Sequence, residues 1–395
     1  MNYQSLQFGI LTLIRSAITK EPAIIPPDFD YEATYNIGLS HQIVSLLYYG
    51  IKNSGIILPE EISGKFFRAT VQMIVFSENQ KTEIDRIFEG FERQGIDYMP
   101  LKGINLKDIY PNEYIRTMGD ADIMIRNEQY TLIRSLMIQL GYTEIAESDH
   151  ELVWDKKGML QVELHKRLIP SYNKDYYTHF GDGWRMAKLV NVNSYMYKLS
   201  DEDQFVYLFT HFSKHYRDAG IGIKHVVDLW VYLRHYQNLD FQYIEAELTK
   251  LQLLRFYKNV HRLIRVWFED EKNDEISELL SGVIFNSGAY GTREAHIASE
   301  TVKAVKSTGS VRITVILKLW NILFLNYKSM CKKYPILRTV PILLPVMWQV
   351  RLVSVLLFNR SSIGVWKTDM KLLSEKNITD YHSRLHAVGL DFNFK

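Results

Sequence analysis

Apolar and polar positions fall into three textures along this chain. Up to about residue 95 the period is helical. GLSHQIVSLLYYGIKNSG (38–55) places apolar residues at helical spacing before a glycine stop, and KFFRATVQMIVFSENQKTEIDRIFEGFERQG (65–95) predicts a long amphipathic helix ending at Gly95. From residue 96 the pattern shortens. IDYMPL (96–101) reads as a strand, GINLKDIY as a short helix opening at Gly103, and GDADIMIR as a second strand. NEQYTLIRSLMIQLGY predicts a helix with its N-cap at Asn127 and its stop at Gly141. HELVWDKK and GMLQVELHKRL alternate apolar with polar residues, which predicts a hairpin turned at Lys157–Gly158. After about residue 195 the pattern is helical to the end, without a fixed repeat. The reading is an α+β fold: an N-terminal helical region (1–95), a small mixed-sheet core (96–195), a helical domain (196–300) and a C-terminal helical region (301–395).

Composition agrees with a folded chain, 47% hydrophobic and 23% charged. The single cysteine, Cys331, excludes an internal disulfide framework and a Cys/His zinc cluster, and suits a reducing compartment. No basic region, apolar core and cleavage site follow one another at the N-terminus, so the expected location is the cytoplasm. Charge sharpens the picture of the C-terminal region. The net charge is only +2, yet Thr301–Thr368 holds eleven Lys or Arg and no Asp or Glu. Its apolar runs, 313–327 and 340–358, are broken by Lys318, Asn321, Pro341, Pro345, Gln349 and Arg351, so neither reads as a spanning helix. Two readings stay open. Residues 311–367 could lie peripherally on an anionic inner-membrane face, or form a helical subdomain whose cations line a phosphate cleft or face water, the preferred reading. Because the core itself is not basic, nucleic acid is not expected as a partner.

The candidate chemistry sits in the middle texture. Asp120 and Asp122 alternate with Ala121, Ile123 and Ile125, so in a strand both carboxylates share one face. Such a pair suits Mg²⁺ or Mn²⁺ shared with substrate phosphates. In GMLQVELHKRL the same alternation puts Gln161, Glu163 and His165 together. A neighbouring position for that strand would make Glu163 a third carboxylate, enough for a two-ion phosphoryl or nucleotidyl transfer site. Lys102 and Gly103 end one strand and open a helix, a turn able to bind phosphate, and Arg116 could add a forked donor. His211 and His215 are spaced to share a helix face, as are Lys224 and Asp228. A zinc role for the His pair lacks a third ligand. Substrate binding or polar helix packing are the alternatives. His165 could orient Glu163, contact substrate, or be structural. Arg217 reads as an exposed loop residue.

The ordered run Leu101-Lys102-Gly103, Tyr110-Pro111, Arg116, Asp120/Asp122 and Glu163-Leu164-His165 resembles the polymerase-beta-like nucleotidyltransferase superfamily, in its bacterial branch of uncharacterised nucleotidyltransferases. The resemblance covers roughly residues 35–240, including HFSKHYRDAGIGIKHVVDLWVYL, where the branch carries paired histidines and a later aspartate. It departs from the wider superfamily at the first turn, where Gly-Gly or Gly-Ser is usual and Lys102-Gly103-Ile104 stands here. The resemblance implies a nucleotidyltransferase core with residues 196–300 packed on its cleft. Asp120, Asp122 and Glu163 would hold the metal and act in catalysis, and Lys102, Gly103 and Arg116 would hold a nucleoside triphosphate, with ATP the expected donor. His165, His211, His215, Lys224 and Asp228 are substrate-binding candidates. The acceptor would be a hydroxyl of a small molecule, sugar or protein. The alternative is a nucleotide-binding or accessory protein in surface polysaccharide or peptide-product assembly, associated with the membrane. Oligomeric state is not legible.

Overall fold

The computed structural model describes residues 3–358 and 360–391. Four helices precede the sheet: α1 (Tyr3–Thr19), α2 (Tyr31–Ser40), α3 (Val44–Asn53) and α4 (Glu60–Gln94). The amphipathic run ending at Gly95 is one helix, α4, closed by Gly95 in the left-handed conformation at φ 69°. By contrast, the pattern over 38–55 is two helices. They break at His41–Ile43, where Gln42 has φ 57° and Thr117 Oγ1 donates to its carbonyl at 2.8 Å. His41 is buried there, its Nδ1 accepting from Ile223 N–H. Tertiary hydrogen bonds thus override a helical period at this point.

The core follows: β1 (Tyr98–Pro100), α5 (Gly103–Lys107), β2 (Asp120–Ile125), α6 (Tyr130–Gln139), β3 (Thr143–Glu147), β4 (Glu151–Asp155) and β5 (Gln161–His165). Asn127 opens a 3₁₀ turn ahead of α6 instead of capping it. The five strands pair in the order β1-β2-β5-β4-β3. Only β2 and β5 run parallel; the other pairs are antiparallel, with β4 and β5 forming the hairpin expected around Gly158. Ala121, Ile123 and Ile125 from β2, with Val162 and Leu164 from β5, pack against Ile84, Ile87 and Phe91 of α4 and Ile133, Leu136 and Met137 of α6. That helical layer occupies one sheet face. Strand alternation therefore sends the polar residues of β2 and β5 to the other.

Then come α7 (Lys174–Phe180), a two-stranded ribbon of β6 (Lys188–Leu189) and β7 (Tyr197–Lys198), α8 (Asp201–Asp218), α9 (Ile223–His235), α10 (Phe241–Lys250), α11 (Leu254–Phe268) and α12 (Glu275–Ser287). Most of this forms one compact unit, the chain up to Ser213 with Ile221–Ala289. The fold is α+β, a small mixed sheet with helical flanks. A second unit takes Lys214–Gly220 and the described residues from Tyr290 to Asp391. It contains α13 (Arg293–Thr308), α14 (Val311–Leu323), α15 (Tyr327–Lys333), α16 (Leu344–Phe358), α17 (Arg360–Leu372) and α18 (Glu375–Val388). Met330, Cys331 and Leu337 centre one apolar cluster there, joined by Met347 and Trp348. Among the described residues, no helix is long and apolar enough to cross a membrane.

Candidate active site

The parallel register sets Asp120 beside Gln161, Asp122 beside Glu163 and Met124 beside His165. Paired residues in a sheet share a face, so the carboxylates of Asp120, Asp122 and Glu163 and the His165 ring project from the side opposite the core. Asp122 is the hub. Its Oδ1 accepts from Lys102 Nζ at 2.6 Å and from His165 Nε2 at 2.7 Å. Because an ionised carboxylate can only accept, the His165 proton on this side is on Nε2.

Lys102 reaches Asp122 from a strained backbone, φ 41° and ψ −110°, at the turn between β1 and α5. Strain of this kind persists only where the surroundings enforce it. Here Leu101 N–H donates to the Asp122 carbonyl at 3.0 Å, Gly103 is buried, and a Cβ at Gly103 would lie 2.9 Å from Met118 Sδ. A side chain at 103 would therefore force the buried Met118 to shift.

Charge in the cleft is unbalanced. Burial alone would raise the Asp122 carboxyl, but Lys102 and the His165 hydrogen bond hold it well below the usual carboxylate range. For Lys102, burial works against the ammonium and the Asp122 charge outweighs it, so it stays protonated. Burial and then the Asp122 charge raise Asp120. Burial, Asp122 and Asp120 push Glu163 up to about 7. Carboxylates beside a lysine suit a hard divalent cation, but Asp120 does not belong to the donor groups close enough to share an ion among the described residues. Donor atoms of Asp122, Glu163 and His165 all lie within 4.8 Å of one another.

A further group faces this charge. Tyr207, on α8, is fully buried, its hydroxyl has no hydrogen-bond partner among the described residues, and its strongest electrostatic partners are Lys102, Asp122, Glu163 and Glu151. An orphaned buried hydroxyl calls for an explanation, and a ligand in the cleft provides one. The sequence pattern hides it within an aromatic helix stripe.

Arg116 and Asp228 are brought together. Arg116 Nε and Nη2 donate to the two Asp228 carboxylate oxygens at 2.8 and 3.0 Å, Tyr110 Oη donates to the first of these at 2.7 Å, and Arg116 Nη1 donates to the Gly103 carbonyl at 3.3 Å. The fork thus braces the Lys102-Gly103 turn against α9. Lys224, one turn before Asp228, donates to Gln42 Oε1 at 3.2 Å; burial and then Arg116 lower it to about 8. His211 and His215 are both half-buried on α8, and neither belongs to the donor groups close enough to share an ion among the described residues. Arg217 is not the exposed loop residue expected. It lies in the last turn of α8, 1% exposed, and its carbonyl accepts from Tyr381 Oη. The α8 pattern runs on past the His pair and carries Arg217 inward.

Two neighbours on β4 and its approach, His150 and Glu151, were not singled out from the sequence. Glu151 is the register partner of His165, and His150 Nε2 lies 3.1 Å from His165 Nδ1. In the second unit, a cavity of about 460 Å³ is lined by residues including Lys318, Arg351, Trp366 and Asp369.

Comparison with curated proteins and with solved structures gave no match. A protein-family model described as an uncharacterised nucleotidyltransferase matches residues 27–269. That span includes α2 to α11 and with them the sheet, the Lys102 turn and every residue of the cleft, which associates the site with a general nucleotidyl-transfer role. Covering more than half of the chain, the match establishes that this protein belongs to the uncharacterised nucleotidyltransferase family.

Proposed function

We propose that the protein is a divalent-cation-dependent transferase that moves a nucleoside monophosphate from a nucleoside triphosphate, ATP being the expected donor, to a hydroxyl of a small molecule, sugar or protein. The observation that carries the reading is the Asp122–Glu163 register, which sets two facing carboxylates beside Asp120 and Lys102. Asp120, Asp122 and Glu163 would hold Mg²⁺ or Mn²⁺, which when bound supplies neutralisation of phosphate charge and activation of an oxygen nucleophile. The chain's own residues do the positioning. Lys102 presents an ammonium to the leaving phosphates, where charge develops. Arg116, engaged by Asp228, acts by holding the Gly103 turn. Tyr207 offers a buried donor to the bound nucleotide. The test is calorimetric titration of the full chain with a non-hydrolysable ATP analogue, with and without Mn²⁺. Binding is expected only with the ion, and is expected to be lost in Asp120→Asn and Asp122→Asn. Equal binding by wild type and both variants would overturn the assignment.

One observation favours an accessory role at a membrane for the second unit. On α14, Ile313, Ile316, Leu317 and Trp320 are 48–62% exposed at i, i+3, i+4, i+7 spacing; on α16, Val346, Val350 and Val353 repeat the pattern. Exposed apolar stripes in a stretch without acidic residues fit an anionic lipid surface. Flotation of the full chain with phosphatidylserine vesicles is the check. Loss of flotation in Trp320→Asp supports the contact, and recovery of wild type only in the soluble fraction removes it.

A further inference from the structure

A second donor group stands beside the carboxylate cluster, and its chemistry differs. His165 Nδ1, His150 Nε2 and Glu151 Oε2 form a triangle with sides of 3.1, 3.6 and 3.8 Å. The point in their plane equidistant from all three lies about 2.0 Å from each, the length of a Zn–N or Zn–O bond. Two imidazoles and one carboxylate select a borderline ion such as Zn²⁺ over Mg²⁺, which prefers oxygen.

The surroundings are those of a built site. His165 is 1% exposed and His150 8%, while the Glu151 side chain is 29% exposed and opens the group toward solvent. His165 is already oriented from behind: its Nε2–H donates to Asp122 Oδ1 at 2.7 Å. A carboxylate holding the far nitrogen of a ligating histidine is the usual outer arrangement at zinc centres, since it fixes the tautomer and leaves the near nitrogen as a lone pair. Register supplies the rest. Glu151 and His165 are direct cross-strand partners at one end of the β4–β5 hairpin, and His150 immediately precedes β4.

We infer that His150, Glu151 and His165 form a binding site for Zn²⁺ or a similar first-row dication, separate from the Asp120/Asp122/Glu163 group. The two sites would communicate through one hydrogen bond, from His165 to Asp122. Binding moves the proton now shared between His150 Nε2 and His165 Nδ1: if it rides on His150, it shifts to that ring's Nδ1, and if both rings together carry an extra one, that one leaves to solvent.

The test uses the full chain freed of metal with a chelator and then titrated with Co²⁺ as a visible stand-in for Zn²⁺. Wild type and Asp120→Asn are both expected to show the intense visible bands of four-coordinate nitrogen and oxygen ligation, whatever further Co²⁺ the carboxylate group takes up. His150→Ala and Glu151→Gln are expected to weaken binding by more than about 100-fold, beyond the 10–100-fold typical of an outer-shell change. Excess Mg²⁺ is expected not to displace the ion. Glu151→Gln keeps shape at a half-exposed position, so it decides the matter if His150→Ala fails to fold. Absence of the bands in folded wild type, equal binding by Glu151→Gln, or loss in Asp120→Asn would each overturn the inference. The last would put the ion among the oxygen donors. None of these readings depends on nucleotidyl transfer being observed.

Discussion

Replacing Asp228 by Asn separates an anchoring role from a substrate-binding one. The carboxylate is 5% exposed and accepts three hydrogen bonds, two from Arg116 and one from Tyr110. The amide keeps the shape but removes the counter-charge and turns one acceptor into a donor facing a guanidinium that is itself 7% exposed. Breaking a buried pair from one side costs about 3–5 kcal/mol, because the surviving charge stays desolvated. Removing both charges, as in Arg116→Met with Asp228→Leu, leaves the neutral Tyr110 hydroxyl and Gly103 carbonyl without these partners but no orphaned charge, so the double variant should be less destabilised than Asp228→Asn alone. The suitable assay is native-state hydrogen exchange on the full chain, read on peptides covering β2 and β5. With two compact units, a single unfolding transition is not assured. At about 1.4 kcal/mol per factor of ten, the core amides should exchange roughly 10²- to 10⁴-fold faster in Asp228→Asn. Acceleration below about tenfold, or a double variant no better than the single one, would refute the anchoring argument.

Four other outcomes follow from the same geometry. Tyr207→Phe should raise the stability of the ligand-free protein by about 1 kcal/mol in the same exchange measurement, since an unsatisfied buried hydroxyl is costly, while weakening nucleotide binding; a loss of stability would show that the hydroxyl is already bonded. Gly103→Ala should cost about 1–3 kcal/mol by the same measure, because the new methyl meets Met118 Sδ at 2.9 Å and Arg116 Nη1 at 3.2 Å; unchanged stability would count against the packing argument. Burial would raise the Asp228 carboxyl, but Arg116 holds it below its unfolded value of about 3.9, so its contribution is present above about pH 4 and is lost as pH falls through the folded value. An acid-unfolding midpoint unmoved in Asp228→Asn would contradict this. Lys102→Met removes the ammonium that touches Asp122, an interaction of about 4 kcal/mol at 4 Å and an effective dielectric near 20. Mn²⁺ binding followed by electron paramagnetic resonance should tighten at least about tenfold, and weakening would refute the proposed charge balance.

Much of the core was readable because it depends on alternation. Asp120 and Asp122, and separately Glu163 and His165, share a face by strand geometry alone, and Gly95 and Gly158 mark a helix stop and a hairpin turn. What alternation cannot supply is pairing: nothing local says that β2 lies beside β5. Strand β3, TEIAE, was missed because it is an edge strand whose residues are mostly exposed, so it lacks an apolar face to read. His150 and Glu151 carried no signal of their own, since their meaning comes from a cross-strand register with His165. The break at His41–Ile43 and the inward turn of Arg217 are set by distant segments that the helical period does not report.

The β2–β5 pairing has a consequence for synthesis. Residues 126–160, with α6, β3 and β4, separate the aspartates from their partner strand. A chain emerging from the ribosome therefore exposes Asp120 and Asp122 before Glu163 and His165 exist to meet them. Long-range parallel pairing forms late, after the intervening hairpin gives β5 an edge to join. Metal affinity should thus appear as one event when β5 docks, and a nascent chain halted before residue 161 should carry the aspartates without the ability to retain an ion.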